Sequence, residues 1–298
     1  MPEHAPPTSR RGADAALGIS FVLVWCTGYI VGKLVVAHAA PLTSLVLRFG
    51  LAAVIFGVLA LVARVPRCSR ADLWHSAVTG VLMLALHFGA VYVAFRLGAN
   101  AGVSALVIGA MPLLVALVAT LDGSERLGAL RWLGMVLGLL GVVLVVADRV
   151  DGATPLAAWG MLALGLIGIT AGTLYQKRHA AHLDMRLALT VQNGAAALVL
   201  LPLTLWEGFR FDSTFDFYWP LAWLVLVNSV GGFALLFLLI RRGAATQVAA
   251  LFFLMPPVTA VFGHFTLGEH LTWLKGAGFA CAAFGVWLAT RPQGAQDA

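Results

Sequence analysis

Arg96-Leu97-Gly98-Ala99-Asn100-Ala101-Gly102-Val103-Ser104-Ala105-Leu106, followed by Pro112, returns later in the chain as Arg241-Arg242-Gly243-Ala244-Ala245-Thr246-Gln247-Val248-Ala249-Ala250-Leu251, followed by Pro257. The offset is 145 residues from Arg96/Arg241 through Pro112/Pro257. It then falls by one, so that Glu125 pairs with Glu269, Gly134 with Gly278 and Gly141 with Gly285. Each copy has room for about five membrane spans at roughly 20 residues per span. Five is odd, so the second copy must lie upside down relative to the first. Inverted repeats point to a carrier that opens its centre to each side in turn. The expectation is an all-α integral membrane protein, with ten transmembrane helices as two inverted five-helix repeats.

Composition agrees. The 298 residues are 61% hydrophobic and 11% charged, with a mean hydropathy of +0.93. That is outside the range of soluble domains. Apolar runs fall near 14–37, 41–63, 72–95, 101–121, 130–147, 156–176, 186–206, 218–240, 245–267 and 272–290. They divide the chain into a cytoplasmic tail 1–13, a first repeat 14–150, a second repeat 151–291 and a tail 292–298. A segment too long for a cleaved signal follows the first tail, and Arg10-Arg11 reads as an anchor rather than an export signal.

With the N-terminus inside, thirteen Lys and Arg fall on the cytoplasmic side and five outside, leaving Arg48 within a span. That bias puts both termini in the cytoplasm. The net charge of +6 is then explained by basic loops that hold helix ends in place, and no nucleic-acid partner is implied. The expected partners are a small-molecule solute and membrane lipid. The internal pseudo-dimer makes a monomer sufficient. A bacterial-type inner membrane suits the pattern.

Several classes lose ground. No G-x-x-x-x-G-K-[ST] run occurs for nucleotide hydrolysis. Glu269-His270 is in the wrong order for a zinc-protease motif, and Gly102-Val103-Ser104 continues as Ala105-Leu106 rather than as a nucleophile elbow. Cys26, Cys68 and Cys281 have no framework spacing. No cofactor, metal or catalytic residue is expected. A channel or a membrane-embedded enzyme remains a remote alternative.

The ordered motifs resemble a known family. Trp25-Cys26-Thr27-Gly28-Tyr29, Leu47-Arg48-Phe49 and Ala99…Ala105-Leu106…Met111-Pro112 come first, then Gly134…Gly141. The second copy has Ala244…Ala250-Leu251…Pro256-Pro257…Leu267-Gly268-Glu269…Gly278…Gly285. In order and spacing the chain resembles, over essentially its whole length, the ten-helix EamA-like carriers of the drug/metabolite transporter superfamily. That resemblance implies export or exchange of small metabolites, often amino acids, through a cavity between the repeats.

None of the thirteen acidic residues falls in mid-span. Carriers of cationic drugs usually keep an intramembrane carboxylate, so a cationic solute finds no countercharge. Carriers of phosphorylated solutes need several cations, and only Arg48 and Lys33 offer themselves. A neutral or zwitterionic solute gains. The expected function is transport of such metabolites, amino acids above all, by alternating access, driven by the solute's own gradient. A proton-coupled multidrug or metabolite antiporter is the alternative.

The expected substrate-binding residues are Trp25, Tyr29, Arg48, His87 and Asn228. Arg48 either meets a carboxylate or clamps backbone carbonyls. At about 10 Å into its span, its guanidinium is expected to snorkel to the outer interface. Trp25 and Tyr29 share a helix face and either line the cavity or pack helices. His87 is a proton relay or a neutral histidine bonded to a carbonyl; His264 is a second titratable group. Asn228-Ser229 either contact substrate or tie helices together. Pro112, Pro256 and Pro257 break two helices, freeing the carbonyls of Ile108, Phe252 and Phe253.

Overall fold

A computed structural model describes residues 7–66, 68–121, 128–147, 154–180, 183–241 and 254–289. The chain is built of helices, for the reason its composition gives. In lipid each backbone N–H and C=O must be satisfied within its own segment. Helix α1 is Pro7–His38 and α2 is Pro41–Val62. Helix α3 spans Arg70–Arg96, with a π-helical turn at Val81–Leu86. Helix α4 comes in two halves, Ala101–Gly109 and Met111–Leu121, and α5 is Ala129–Ala147. The second repeat contributes α6 (Leu156–His179) and α7 (Met185–Glu207). Helix α8 runs as Phe215–Trp223, a π-helical stretch Leu224–Gly232, and Phe233–Arg241. The described part of α9 is Met255–Leu267, and α10 is Trp273–Ala289. Six of these, α1, α2, α3, α6, α7 and α8, are each long and apolar enough to cross a membrane.

The ten helices form two repeats of five, and odd membership sets one repeat upside down against the other. The packing obeys that symmetry. Helix α2 packs on α7, the first half of α4 on α9, and α5 on α10, each element on its own counterpart. The remaining pairs exchange, α3 with α6 and α1 with α8. The π-helical segments repeat too: adding 145 to Val81–Leu86 gives 226–231, inside Leu224–Gly232. The α5–α10 seam is the tightest. A Cβ on Gly141 would run into the Ala282 backbone, and one on Gly285 into the Gly138 backbone. Small residues at four-residue spacing allow that approach.

The proline positions also correspond. Helix α4 stops at Ala110, and Pro112 is the second residue of its next half. Pro256 and Pro257 are the second and third residues of the described α9. Proline belongs in a first turn, where its missing N–H has no partner to lose. Pro256 lies against Gly109, so the start of the described α9 meets the break in α4. The motif copy Ala244…Leu251, Glu125, and the carbonyls of Phe252 and Phe253 lie outside the described residues.

Two boundaries differ from the sequence reading. Helix α1 begins at Pro7 rather than near residue 14, taking in part of the expected tail. Helix α6 runs on through Lys177 and Arg178 to His179. Cations in a last turn face the negative end of the helix dipole and prolong it.

Candidate functional site

Arg48 is the natural starting point because a guanidinium in an apolar span is costly. Its side chain does not snorkel. It is 5% exposed and turns inward between the repeats. Nε donates to Ser229 Oγ at 3.3 Å and Nη1 donates to Tyr92 Oη at 3.0 Å. The guanidinium carbon stands 4.7 Å from the centre of the Phe88 ring and 5.7 Å from that of Phe49. Desolvating a cation costs several kcal/mol. Hydrogen bonds from a charged group return about 1.5–3 kcal/mol each, and a desolvated aromatic face about 2. Two hydroxyls and an aromatic face within reach explain why the side chain points in. Among the described residues no carboxylate pairs with it.

Asn228 precedes Ser229 in the π-helical stretch of α8. Its Nδ2 donates to the Val24 carbonyl at 2.6 Å and to Thr27 Oγ1 at 3.2 Å. Val24 offers only an acceptor there, which fixes the amide with nitrogen toward α1. Asn228 Oδ1 is then buried with no hydrogen-bond partner among the described residues. Such an oxygen costs about 1–3 kcal/mol unless something donates to it. The symmetry-related contact makes Asn228 stand out. Asn228 fits against Gly28 on α1, and Met83 fits against Gly172 on α6 in the same way. The first contact is polar and its counterpart apolar.

The remaining expected residues are spread around this pair. His87 is buried, and its Nδ1 lies 3.0 Å from the Gly165 carbonyl on α6. Its ring meets Phe88 edge-on at 4.6 Å. Trp25 and Tyr29 separate. Trp25 packs with Phe21 and Phe233, at 5.3 and 5.8 Å, in a cluster that includes Cys26 and Met255. Tyr29 joins the larger core around Tyr92 and Phe95. Arg48's counterpart Asn193 turns to its own helix, donating to the Leu189 carbonyl at 2.7 Å. The polar pair is therefore one-sided.

Sequence reading missed two participants, Tyr92 and Glu269. Tyr92 and Ser229 are the partners of Arg48, 44 and 181 residues away. The sequence reading names Ser229 beside Asn228, whereas for Tyr92 only a polar tip in an apolar run hints at a role. The second is Glu269, which the sequence reading uses as a marker of the repeat and not as a site residue. Its side chain is 8% exposed and bonds Lys33 Nζ at 2.7 Å, so Lys33 is neutralised rather than free for an anion. Among the described residues no group of three metal-ligating side chains assembles.

Residues 14–147 and 156–291 each match the EamA-like transporter family. The chain belongs to that family. It is an integral membrane transporter, and the relatives agree in kind. The uncharacterized transporter YvbV of Bacillus subtilis (strain 168) is 25% identical, over 95% of this chain and 93% of that protein. The uncharacterized inner membrane transporter YedA of Escherichia coli (strain K12) is 24% identical, over 90% and 87%. A probable amino-acid metabolite efflux pump of Salmonella typhimurium (strain LT2) is 25% identical, over 92% and 94%. A solved crystal structure at 18% identity superposes with a TM-score of 0.66 over 93% of this chain and 96% of its own, and shares the fold.

Proposed function

We propose that this transporter carries small neutral or zwitterionic metabolites, amino acids foremost, by alternating access at the site between its repeats. The observation that carries the reading is that Arg48 is buried without a carboxylate among the described residues, while Asn228, next in sequence to its partner Ser229, has Oδ1 buried without a donor. One group asks for an anion and the other for a hydrogen-bond donor. Asn228 adjoins Ser229, which Arg48 already touches. An α-amino acid brings a carboxylate and an ammonium on neighbouring atoms and no net charge. A solute with several negative charges would find one cation, since Lys33 is engaged by Glu269. The apolar remainder of the site favours loose selectivity among side chains. The Salmonella relative, named a probable amino-acid metabolite efflux pump, supports the solute class.

The reading includes repeat units at 14–150 and 151–291, both termini in the cytoplasm, an inner-membrane location and function as a monomer. Trp25, Tyr29 and His87 contribute to the wall, and Pro112, Pro256 and Pro257, in the first turns of the second half of α4 and of the described α9, shape the cavity. The solute's own gradient drives net flux. Uptake of a labelled neutral amino acid into proteoliposomes, with and without an imposed pH gradient, tests the reading. Saturable uptake that equilibrates and ignores the gradient is expected. Concentrative uptake that follows the gradient and vanishes in His87→Ala would establish proton coupling instead. Flux of a cationic dye without amino-acid flux would remove the substrate class.

A further inference from the structure

We propose that Glu269 is a positioning residue of the transport cycle, a latch that closes the cavity on the side of the membrane where Lys33 lies. The inference rests on the alternating-access reading. Its starting point is an uncapped helix. Asn100 occupies the N-cap of α4 and makes no side-chain bond there. Glu269 takes that place from the other repeat. Its Oε1 accepts from the Ala101 N–H at 2.7 Å, and its Oε2 faces the Gly102 N–H at 3.4 Å. Oε1 also accepts from Lys33 Nζ on α1. One carboxylate thus ties three elements of two repeats.

The tie is stiff at its own end. Gly268 turns the chain with φ of +66°, a conformation suited to glycine. The Glu269 N–H then bonds back to the Gly263 carbonyl at 3.1 Å, and His264 Nδ1 lies 2.9 Å from the Glu269 carbonyl. The Glu269 backbone is therefore fixed to the end of α9, and its side chain to the start of α4. Below it the first half of α4 is buried from Ala101 to Ile108 and ends at the Ala110 break. Gly102 presses on Ala260 of α9.

The node is placed to close something. Lys33 is five residues along α1 from Gly28, about 7.5 Å of helix rise, and Gly28 is the residue against which Asn228 sits. A carrier must part its repeats on one side at a time. On this side the parting separates α9 from α4 and α1, which breaks the bonds at Glu269. A carboxylate released from three donors is hydrated only if water reaches it. A water-sized cavity beside it, lined by Asn100, His270 and Lys275, gives that access. Lys33 is the more open side of the node, its side chain 24% exposed against 8% for Glu269.

The test reads side-specific access without a solute. A cysteine replaces Asn228 in protein whose native Cys26, Cys68 and Cys281 are replaced. A membrane-impermeant thiol reagent is applied to each face in turn. Glu269→Gln keeps an acceptor for the helix and loses the charge; Lys33→Met leaves the cap whole. Each is expected to speed labelling from the Lys33 face at least about tenfold, the weight of one charge-assisted bond, and to slow it from the opposite face. The double variant is expected to add little, because both act on one node. In the protein with Asn228 and the native cysteines intact, Glu269→Gln is expected to lower maximal flux and to leave half-saturation nearly unchanged. Unchanged labelling from both faces in Lys33→Met and Glu269→Gln, with only thermal stability reduced, overturns the latch and leaves a structural cap. Labelling of the cysteine from one face alone, under every condition and in every variant, overturns alternating access itself.

Discussion

Arg48 poses a question of energies that one substitution answers. A buried cation is costly, and an apolar replacement of similar volume is often neutral or stabilising. Arg48→Met is therefore expected to melt within a few degrees of wild type while amino-acid uptake collapses. A melting point far lower, with uptake falling in proportion, would assign Arg48 to holding helices together. Asn228 has a built-in control, since Met83 fills the equivalent place against Gly172. Asn228→Met is expected to fold and to raise the half-saturation concentration for amino acids about tenfold, the worth of one lost hydrogen bond to a charged group. Solutes lacking an ammonium group are expected to be spared; equal weakening for both kinds would mean that Oδ1 does not receive the ammonium. Arg48 and Asn228 were legible in the sequence because a charge and an amide stand out in apolar spans. Their settings were not. The inward turn of Arg48 depends on Tyr92 and Ser229, which no local spacing connects to it.

Among the elements, the helix starts are where the repeats are joined. Helix α2 begins at Pro41 after an Ala40 N-cap with no side-chain bond, and Glu207 at the end of α7 accepts from the Leu42 N–H at 3.1 Å. This repeats the logic of Glu269 on α4: a carboxylate from the second repeat supplies the cap that the first repeat lacks. Glu207→Ala is expected to cost about 1 kcal/mol, the usual worth of an N-cap. A fall in thermal midpoint with little change in half-saturation is the measurement, and an unchanged midpoint would show that water replaces the carboxylate without loss. By contrast Ser69 and Asp72 form a capping box within α3, a pattern that neighbouring residues determine. The π-helical turns in α3 and α8 were invisible in the sequence. Widening a helix there depends on the neighbours it packs against, and hydrophobic periodicity carries no trace of it. The glycines at the seam of α5 and α10 were legible as repeated positions but their partner helix was not, and Gly285→Leu is expected to abolish folding, since the Gly138 backbone cannot move aside.

For the whole molecule, the repeat offset implied two related halves, and the structure adds which helices meet and how the symmetry is broken. Helices pair with their counterparts across the middle, yet the polar residues Arg48, Tyr92, Asn228 and Ser229 have apolar or self-bonded counterparts. A symmetric frame suits a device with two alternative openings, and an asymmetric lining suits a solute with two different ends.

The same frame makes orientation testable. Large exposed aromatic side chains gather at both ends of the bundle: Trp206, Phe215, Phe265 and Trp273 at the Lys33 end, and Trp74 and Trp132 at the other. Such residues settle at the two membrane–water boundaries, so these ends mark the faces without saying which is inside. Charge decides that. The thirteen basic residues assigned to one side include Arg64 and Arg70 beside Trp74, whereas the Lys33 end holds few. Because basic loops stay in the cytoplasm, the Lys33 end is expected to face outward. Ser69 and Ser213 are exposed in loops at opposite ends, which makes them suitable reporters. In sealed cells expressing protein without its native cysteines, Ser213→Cys is expected to react with an impermeant thiol reagent. Ser69→Cys is expected to react only after the membrane is opened. The reverse pattern would invert the assignment and move the Glu269 latch to the cytoplasmic side. Labelling of both in sealed cells would contradict a single orientation and the charge argument with it.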